Sequence, residues 1–186
     1  MIEDKLKWNE KYRSQPAPKH PSDLLIRHVE KLKGREVLDI AAGLGRHAQY
    51  LADHGCLVDA IEWSDVALES LKKIPRVNAI EADLEDGCFL TKKYDAILCF
   101  NYLNRNLYPV MLSHLKRGGI LLFETFVEDD ANEGSPQNPD FLLKKNELLH
   151  IFCPLYIIEY SEKFVTKENG QRSLLASLAA CNSWNR

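Results

Sequence analysis

The chain has 186 residues, 45% of them hydrophobic, which suits one domain with a sizeable core. A net charge of −3 and an isoelectric point near 6.1 give no global attraction to nucleic acid or anionic membrane. The charged N-terminus does not read as a signal peptide, and no apolar run reaches membrane-spanning length, so a cytoplasmic location is expected.

In chain order, Glu3 to Ser14 reads as a helix with Trp8 and Tyr12 four apart on one face. Such an aromatic face either packs on the body of the domain or covers a crevice. Lys5, Lys7, Lys11, Arg13 and Lys19 form a local basic cluster, most simply a solvated face. Gln15 to Pro21, with three prolines, reads as a linker. Ser22 to Leu32 returns to helical spacing through Leu25, Val29 and Leu32.

After Gly34 the chain alternates. Strands are predicted at Glu36–Ile40, Leu57–Glu62, Val77–Glu81, Tyr94–Phe100 and Ile120–Phe126. Helices are predicted between the first four strands and at about Leu107–Leu115. Apolar strands alternating with helices imply a parallel sheet covered on both faces, a doubly wound α/β fold. Val127 to Asp140, acidic and broken by Gly134, Pro136 and Pro139, reads as a surface excursion. Asn146 leads a short helix through Phe152. The last strands, Leu155–Tyr160 and Ser173–Cys181, flank Lys167-Glu168-Asn169-Gly170, a hairpin signal that makes them antiparallel.

The five cysteines, Cys56, Cys88, Cys99, Cys153 and Cys181, contain no C-x-x-C pair and suggest no disulfide framework. Cys99 and Cys181 lie in apolar runs and read as buried fillers. His47 and His54 sit on one predicted helix but lack a third ligand of suitable spacing, so no metal is implied.

Candidate chemistry concentrates at Val37-Leu38-Asp39-Ile40-Ala41-Ala42-Gly43-Leu44-Gly45-Arg46-His47. A strand ends in a carboxylate, enters a small-residue loop and leaves as a helix, so a ligand can approach the backbone closely. Gly43-x-Gly45-x-x-Ala48 fits the dinucleotide fingerprint. Against that, Asp39 would repel a pyrophosphate, and Glu62 and Asp83 follow the next two strands. Three carboxylates at successive strand ends suit a cationic adenosine cofactor, S-adenosylmethionine. Glu62 stands at the spacing of a ribose-hydroxyl acceptor.

These residues resemble the cofactor motifs of the class I S-adenosylmethionine-dependent methyltransferases. The likeness extends to Trp8–Tyr12, Phe100–Arg105, Arg117–Phe126 and Asn138–Leu143, a set similar to small bacterial methyltransferases of the tellurite-resistance type. The resemblance implies a seven-stranded, mostly parallel Rossmann-like sheet with an antiparallel last strand. It divides the single domain into an N-terminal helical lid or cap (1–33), a cofactor half (34–126) and a substrate-side excursion with the C-terminal strands (127–186). It assigns cofactor binding to Asp39, Ala41, Gly43, Gly45, Glu62, Asp83 and Leu84. Asp83 would accept from the adenine amino group, beside the Leu84 amide. Asn101, Tyr102 and Arg105 are the catalytic candidates, where the family faces the transferred methyl. For Tyr102 and Arg105 the plainer alternatives are a core aromatic and a helix-surface charge.

Two positions depart from the family pattern. Ala41 stands where it usually has its first glycine, at a cost if that position needs φ > 0. Asn104 stands where related sequences often have histidine, which removes a potential base. Arg46 and Glu124 are further candidates near the crevice. The expected reaction is methyl transfer to a small nitrogen, oxygen, sulfur or chalcogen nucleophile, extending to a metalloid oxyanion such as tellurite. Catalysis would come mainly from positioning. Nucleic acid is disfavoured as a partner by the net charge and by the lack of an appended binding domain. A small NAD(P)-dependent oxidoreductase and a non-catalytic cofactor-binding module are the alternatives.

Overall fold

The computed structural model describes residues 2–14, 20–87, 90–134, 136–166 and 170–183. Most of the expected Gln15–Pro21 linker, Cys88 and the Lys167–Asn169 part of the hairpin turn lie outside the described residues. Seven strands form one sheet: β1 (Glu36–Ile40), β2 (Leu57–Glu62), β3 (Val77–Glu81), β4 (Tyr94–Phe100), β5 (Leu115–Phe126), β6 (Tyr156–Thr166) and β7 (Arg172–Cys181). Their order is β3-β2-β1-β4-β5-β7-β6. The first five are parallel, and β7 inserts antiparallel between β5 and β6. The expected seven-stranded, mostly parallel sheet is therefore present.

Strand pleating sorts the core into two layers. Leu38, Ile40, Ile97, Cys99, Leu121 and Phe123 point to one face, against α5 (Tyr108–His114) and α6 (Glu147–Ile151). Val37, Val58, Ala60, Ala96, Leu98 and Leu122 point to the other, against α2 (Asp23–His28), α3 (Arg46–Asp53) and α4 (Asp65–Leu71). Both faces bury Leu, Ile and Val side chains, each contributing about 1.5–3 kcal/mol relative to exposure. That two-sided burial is why the strands read as continuous apolar runs. The first helix, α1 (Ile2–Ser14), lies outside this sandwich and contacts α4.

Two expectations need correction. No helix joins β3 to β4 among the described residues. Glu85-Asp86-Gly87 has no apolar face, and Gly87 adopts φ +106°, so the segment turns instead. The sixth strand also runs well past Tyr160. Ser161, Glu162 and Lys163 disguise it, because the outermost strand tolerates charge while pairing with β7 throughout.

The order reverses between β1 and β4, so a crevice opens beyond their carboxyl ends.

Candidate functional site

The loop after β1 is built on left-handed backbone. Ala41, Gly43 and Gly45 have φ of +55°, +57° and +90°. A Cβ on Gly45 would come within 2.8 Å of the Ile74 and Leu71 side-chain methyls, which would have to shift, and φ +90° makes glycine the fitting residue there. A Cβ on Gly43 would meet the Tyr12 hydroxyl at 3.2 Å. Ala41 makes the conditional expectation concrete: the position does adopt positive φ, and alanine bears the strain.

Three acids ring this loop. Asp39 is 1% exposed, and its Oδ2 has no hydrogen-bond partner among the described residues. Burial pushes its pKa up to about 7; Arg46 opposes the rise and Glu62 adds to it. Glu62 is also buried, but its oxygens are engaged. Oε2 accepts from the Gly43 amide at 2.7 Å, and Oε1 accepts from the amides of Trp63 and Ser64 at 2.8 and 2.9 Å. Asp83 follows β3 and accepts from the Glu85 amide at 3.1 Å. Leu84, 6% exposed, sits beside it.

Helix α1 closes one side. Lys5 bridges Asp65 and Glu81, 2.7 Å from each, with its ammonium 4.5 Å from the Trp63 ring centre. Asn9 is buried; its Oδ1 accepts from the Ser64 hydroxyl at 2.6 Å, and its Nδ2 donates to Asp65 at 3.2 Å. These bonds seat Tyr12 over Gly43, while Trp8 stacks beside Tyr12 at 5.4 Å and stays 41% exposed. Asn9 was not singled out in the sequence, because its partners lie more than one element away.

On the other side, Asn101 begins the loop after β4 with φ +55°, exposed, its amide donating to the Glu124 carbonyl at 2.8 Å. Tyr102 is half-buried and donates its hydroxyl to Glu85 at 2.8 Å; burial and Glu85 raise its pKa, so the phenol stays protonated. Arg105 is already paired within the protein. Its guanidinium pairs through two nitrogens with Glu147, at 2.8 and 2.9 Å, and reaches the carbonyls of Asp140 and Leu142. It is a strut between the β4 loop and the 127–146 excursion.

Glu124 accepts hydroxyl bonds from Ser22 at 2.7 Å and Ser177 at 2.6 Å. His47 stacks on Phe100 at 4.2 Å and accepts the Ser22 amide at 3.2 Å. Burial, then Arg46, lowers its pKa to about 3, so it is a neutral core histidine. Among the described residues no helix is long and apolar enough to cross a membrane.

Residues 37–119 match a protein family described as a methyltransferase domain. A 23S rRNA (uracil(747)-C(5))-methyltransferase of Pyrococcus horikoshii is 29% identical over 142 residues, covering 74% of this chain and 28% of that protein. A tRNA U34 carboxymethyltransferase of Pseudoalteromonas translucida is 32% identical over 127 residues, covering 59% of this chain and 38% of its own. The chain thus spans between a quarter and two fifths of these curated relatives. Among solved structures, TehB from Haemophilus influenzae superposes with a TM-score of 0.77 at 21% identity, covering 94% of this chain and 65% of TehB. A Burkholderia thailandensis 1,6-didemethyltoxoflavin-N1-methyltransferase with bound S-adenosylhomocysteine gives 0.69 at 16% identity, covering 97% and 86%. At these identities the structural likeness is one of fold. The names of the curated relatives overturn one expectation, that nucleic acid is disfavoured as a partner. Net charge sums the whole surface, whereas nucleic-acid contact depends on a local face.

Proposed function

We propose that this chain is a methyltransferase of the class I S-adenosylmethionine-dependent type, which binds that cofactor beyond β1–β3 and methylates an acceptor presented at the end of β4. The observation that carries this is the orphaned, buried Asp39 Oδ2 beneath a close-approach loop. A buried carboxylate without a partner suits a cationic group and would repel a pyrophosphate, which argues against a dinucleotide. Asp39 would face the methionine ammonium, Gly43 and Gly45 would admit the ligand to the backbone, and Ala41 would shape the turn. Glu62 keeps the loop in register and retains about one lone pair, on Oε2, for a ribose hydroxyl. Asp83 and the Leu84 amide would hold the adenine.

S-adenosylmethionine supplies an electrophilic methyl on a sulfonium, whose departure leaves a neutral thioether. The protein therefore has to orient and to exclude water, and alignment alone is worth roughly 7–11 kcal/mol. Tyr12 and α1 would cover the crevice on the cofactor side. Asn101 and Tyr102 would border the acceptor, and Arg105 would hold the excursion beside them through Glu147. Tyr102, kept protonated, donates a hydrogen bond and takes no proton. An acceptor with an available lone pair fits this site: an amine, a thiolate or a metalloid oxyanion such as tellurite. A base in RNA is the second reading, favoured by the rRNA and tRNA substrates named for the relatives.

Calorimetric titration with S-adenosylhomocysteine, with NADH as control, tests the reading. Micromolar binding of the first alone supports it; binding of NADH alone, or of neither, overturns it. Methyl transfer from labelled S-adenosylmethionine to amines, thiols, tellurite and transcribed rRNA and tRNA then separates the acceptors.

A further inference from the structure

Asn104 is 9% exposed and uses both ends of its amide. Its Oδ1 accepts the Asn106 amide at 2.9 Å, capping the short turn at 105–107, while its Nδ2 donates to the Leu84 carbonyl at 3.0 Å. Two residues earlier, the Tyr102 hydroxyl reaches Glu85 at 2.8 Å. The loop after β4 therefore grips the segment after β3 at two consecutive residues.

That segment is otherwise held mainly by short local bonds. Between Ala82 and Gly87 there is neither helix nor strand. Its backbone is tied by Ala82 N–H to the Glu62 carbonyl at 3.1 Å, by Glu85 N–H to the Asp83 carboxylate at 3.1 Å and by a local turn bond from Asp86 to Asp83 at 3.2 Å. A buried carbonyl such as that of Leu84 needs a partner, and Asn104 supplies it.

We infer that Asn104 and Tyr102 are positioning residues that set the backbone at Leu84 and Glu85, so that ordering the adenine side and ordering the acceptor loop are one event. By linkage, bound cofactor and bound acceptor then each strengthen the binding of the other. The inference rests on the assignment of Asp83 and Leu84 to adenine.

The variants separate this role from plain structure. Asn104→Asp keeps an acceptor for the Asn106 cap, since aspartate caps well, but loses the donor to Leu84. Tyr102→Phe removes only the hydroxyl. S-adenosylhomocysteine affinity is measured for each, alone and combined with Asp83→Ala, with thermal melts to establish that each variant folds. If the unaltered protein fails to bind, or Asp83→Ala leaves affinity unchanged, the adenine assignment falls and takes the inference with it. If both controls hold, Asn104→Asp is expected to weaken binding about tenfold and Tyr102→Phe a few-fold. Neither loss should add to that of Asp83→Ala, because the residues act through one loop. Unchanged affinity in both single variants, or full additivity, overturns the inference with the adenine assignment intact. Should Asn104→Asp not fold, the Tyr102→Phe cycle decides alone. Acceptor affinity supplies the second arm: S-adenosylhomocysteine that leaves acceptor affinity unchanged would refute the coupling.

Discussion

The amide of Gly43 donates to Glu62 Oε2 at 2.7 Å, so the loop after β1 is fastened to the acid that ends β2. The same carboxylate also receives the amides of Trp63 and Ser64, which hold the start of the β2–α4 connection. One side chain thereby organises both walls of the crevice. Glu62→Gln keeps the shape but presents an amide NH₂ to one set of N–H donors. It should cost about 1–3 kcal/mol of stability and weaken S-adenosylhomocysteine binding by tenfold or more. Denaturant unfolding and calorimetry check the two effects; a variant of unchanged stability and affinity would remove Glu62 from the site.

If Asp39 faces the ligand ammonium, binding should depend on pH. Its pKa, pushed up by burial from 3.8 to about 7, means that the folded state favours the protonated acid. The contribution to stability is fully present below the unfolded value near 3.8 and is lost as pH rises through about 7. A cationic ligand group favours the ionised form, so S-adenosylhomocysteine should bind more tightly as pH rises from about 6 to about 8, with proton release. Calorimetry in buffers of different ionisation enthalpy reads that proton directly. Asp39→Asn should flatten the profile; a profile unchanged by that substitution would refute the assignment.

Ala41 carries left-handed strain at φ +55°. Ala41→Gly should relieve about 1 kcal/mol, offset by roughly 0.5 kcal/mol of added freedom in the unfolded chain. The net gain should raise the melting temperature by roughly 1–2 °C. Ala41→Val should lower it, because a β-branched residue tolerates this region worse.

Docking of α1 depends on Asn9, whose amide serves Ser64 and Asp65. Asn9→Ala leaves the Ser64 hydroxyl proton without its acceptor, while the oxygen still caps the Ala67 amide, and should cost about 1–3 kcal/mol locally. Trypsin should then cut at the exposed Lys7, Lys11 and Arg13 faster than in the unaltered protein, and S-adenosylhomocysteine should slow it again. Equal cleavage rates would mean that Asn9 does not hold the helix.

Arg105 and Glu147 join the β4 loop to the excursion. The guanidinium is 41% exposed, so solvent screening limits the pair to about 1 kcal/mol. Glu147→Gln should therefore change stability little. It should raise KM for the acceptor while leaving cofactor affinity unchanged, a split that steady-state kinetics resolves.

These residues also mark what the sequence could convey. The sheet was legible because Leu38, Ile40, Leu98 and Phe123 are buried by one repeating rule, strand pleating between two helical layers. The acids at successive strand ends were legible for the same reason: each strand's end could be read locally. The use of each acid was not. Glu62 finds its amide on another strand's loop, and Tyr102 finds Glu85 across the crevice, through tertiary packing that no local pattern encodes. The partner of Arg105, Glu147, lies beyond the whole of β5, so no local pattern announces the pair. Ala41 could be read only as a conditional until its backbone angle was known.

The antiparallel insertion of β7 also governs when the sheet can be finished. Parallel strands β1 to β5 can assemble in the order of synthesis, but the free edge of β5 waits for residues 172–181, which emerge after β6. Until then Leu121 and Phe123 sit in a strand whose backbone groups on that edge are unpaired, a template for mispairing. The β6–β7 hairpin can form early from local contacts and dock as a unit, so the slow event is the joining of two preformed pieces. Substitutions along the β5–β7 seam should therefore reduce the yield of folded protein at the ribosome more than they lower the stability of molecules that have already folded.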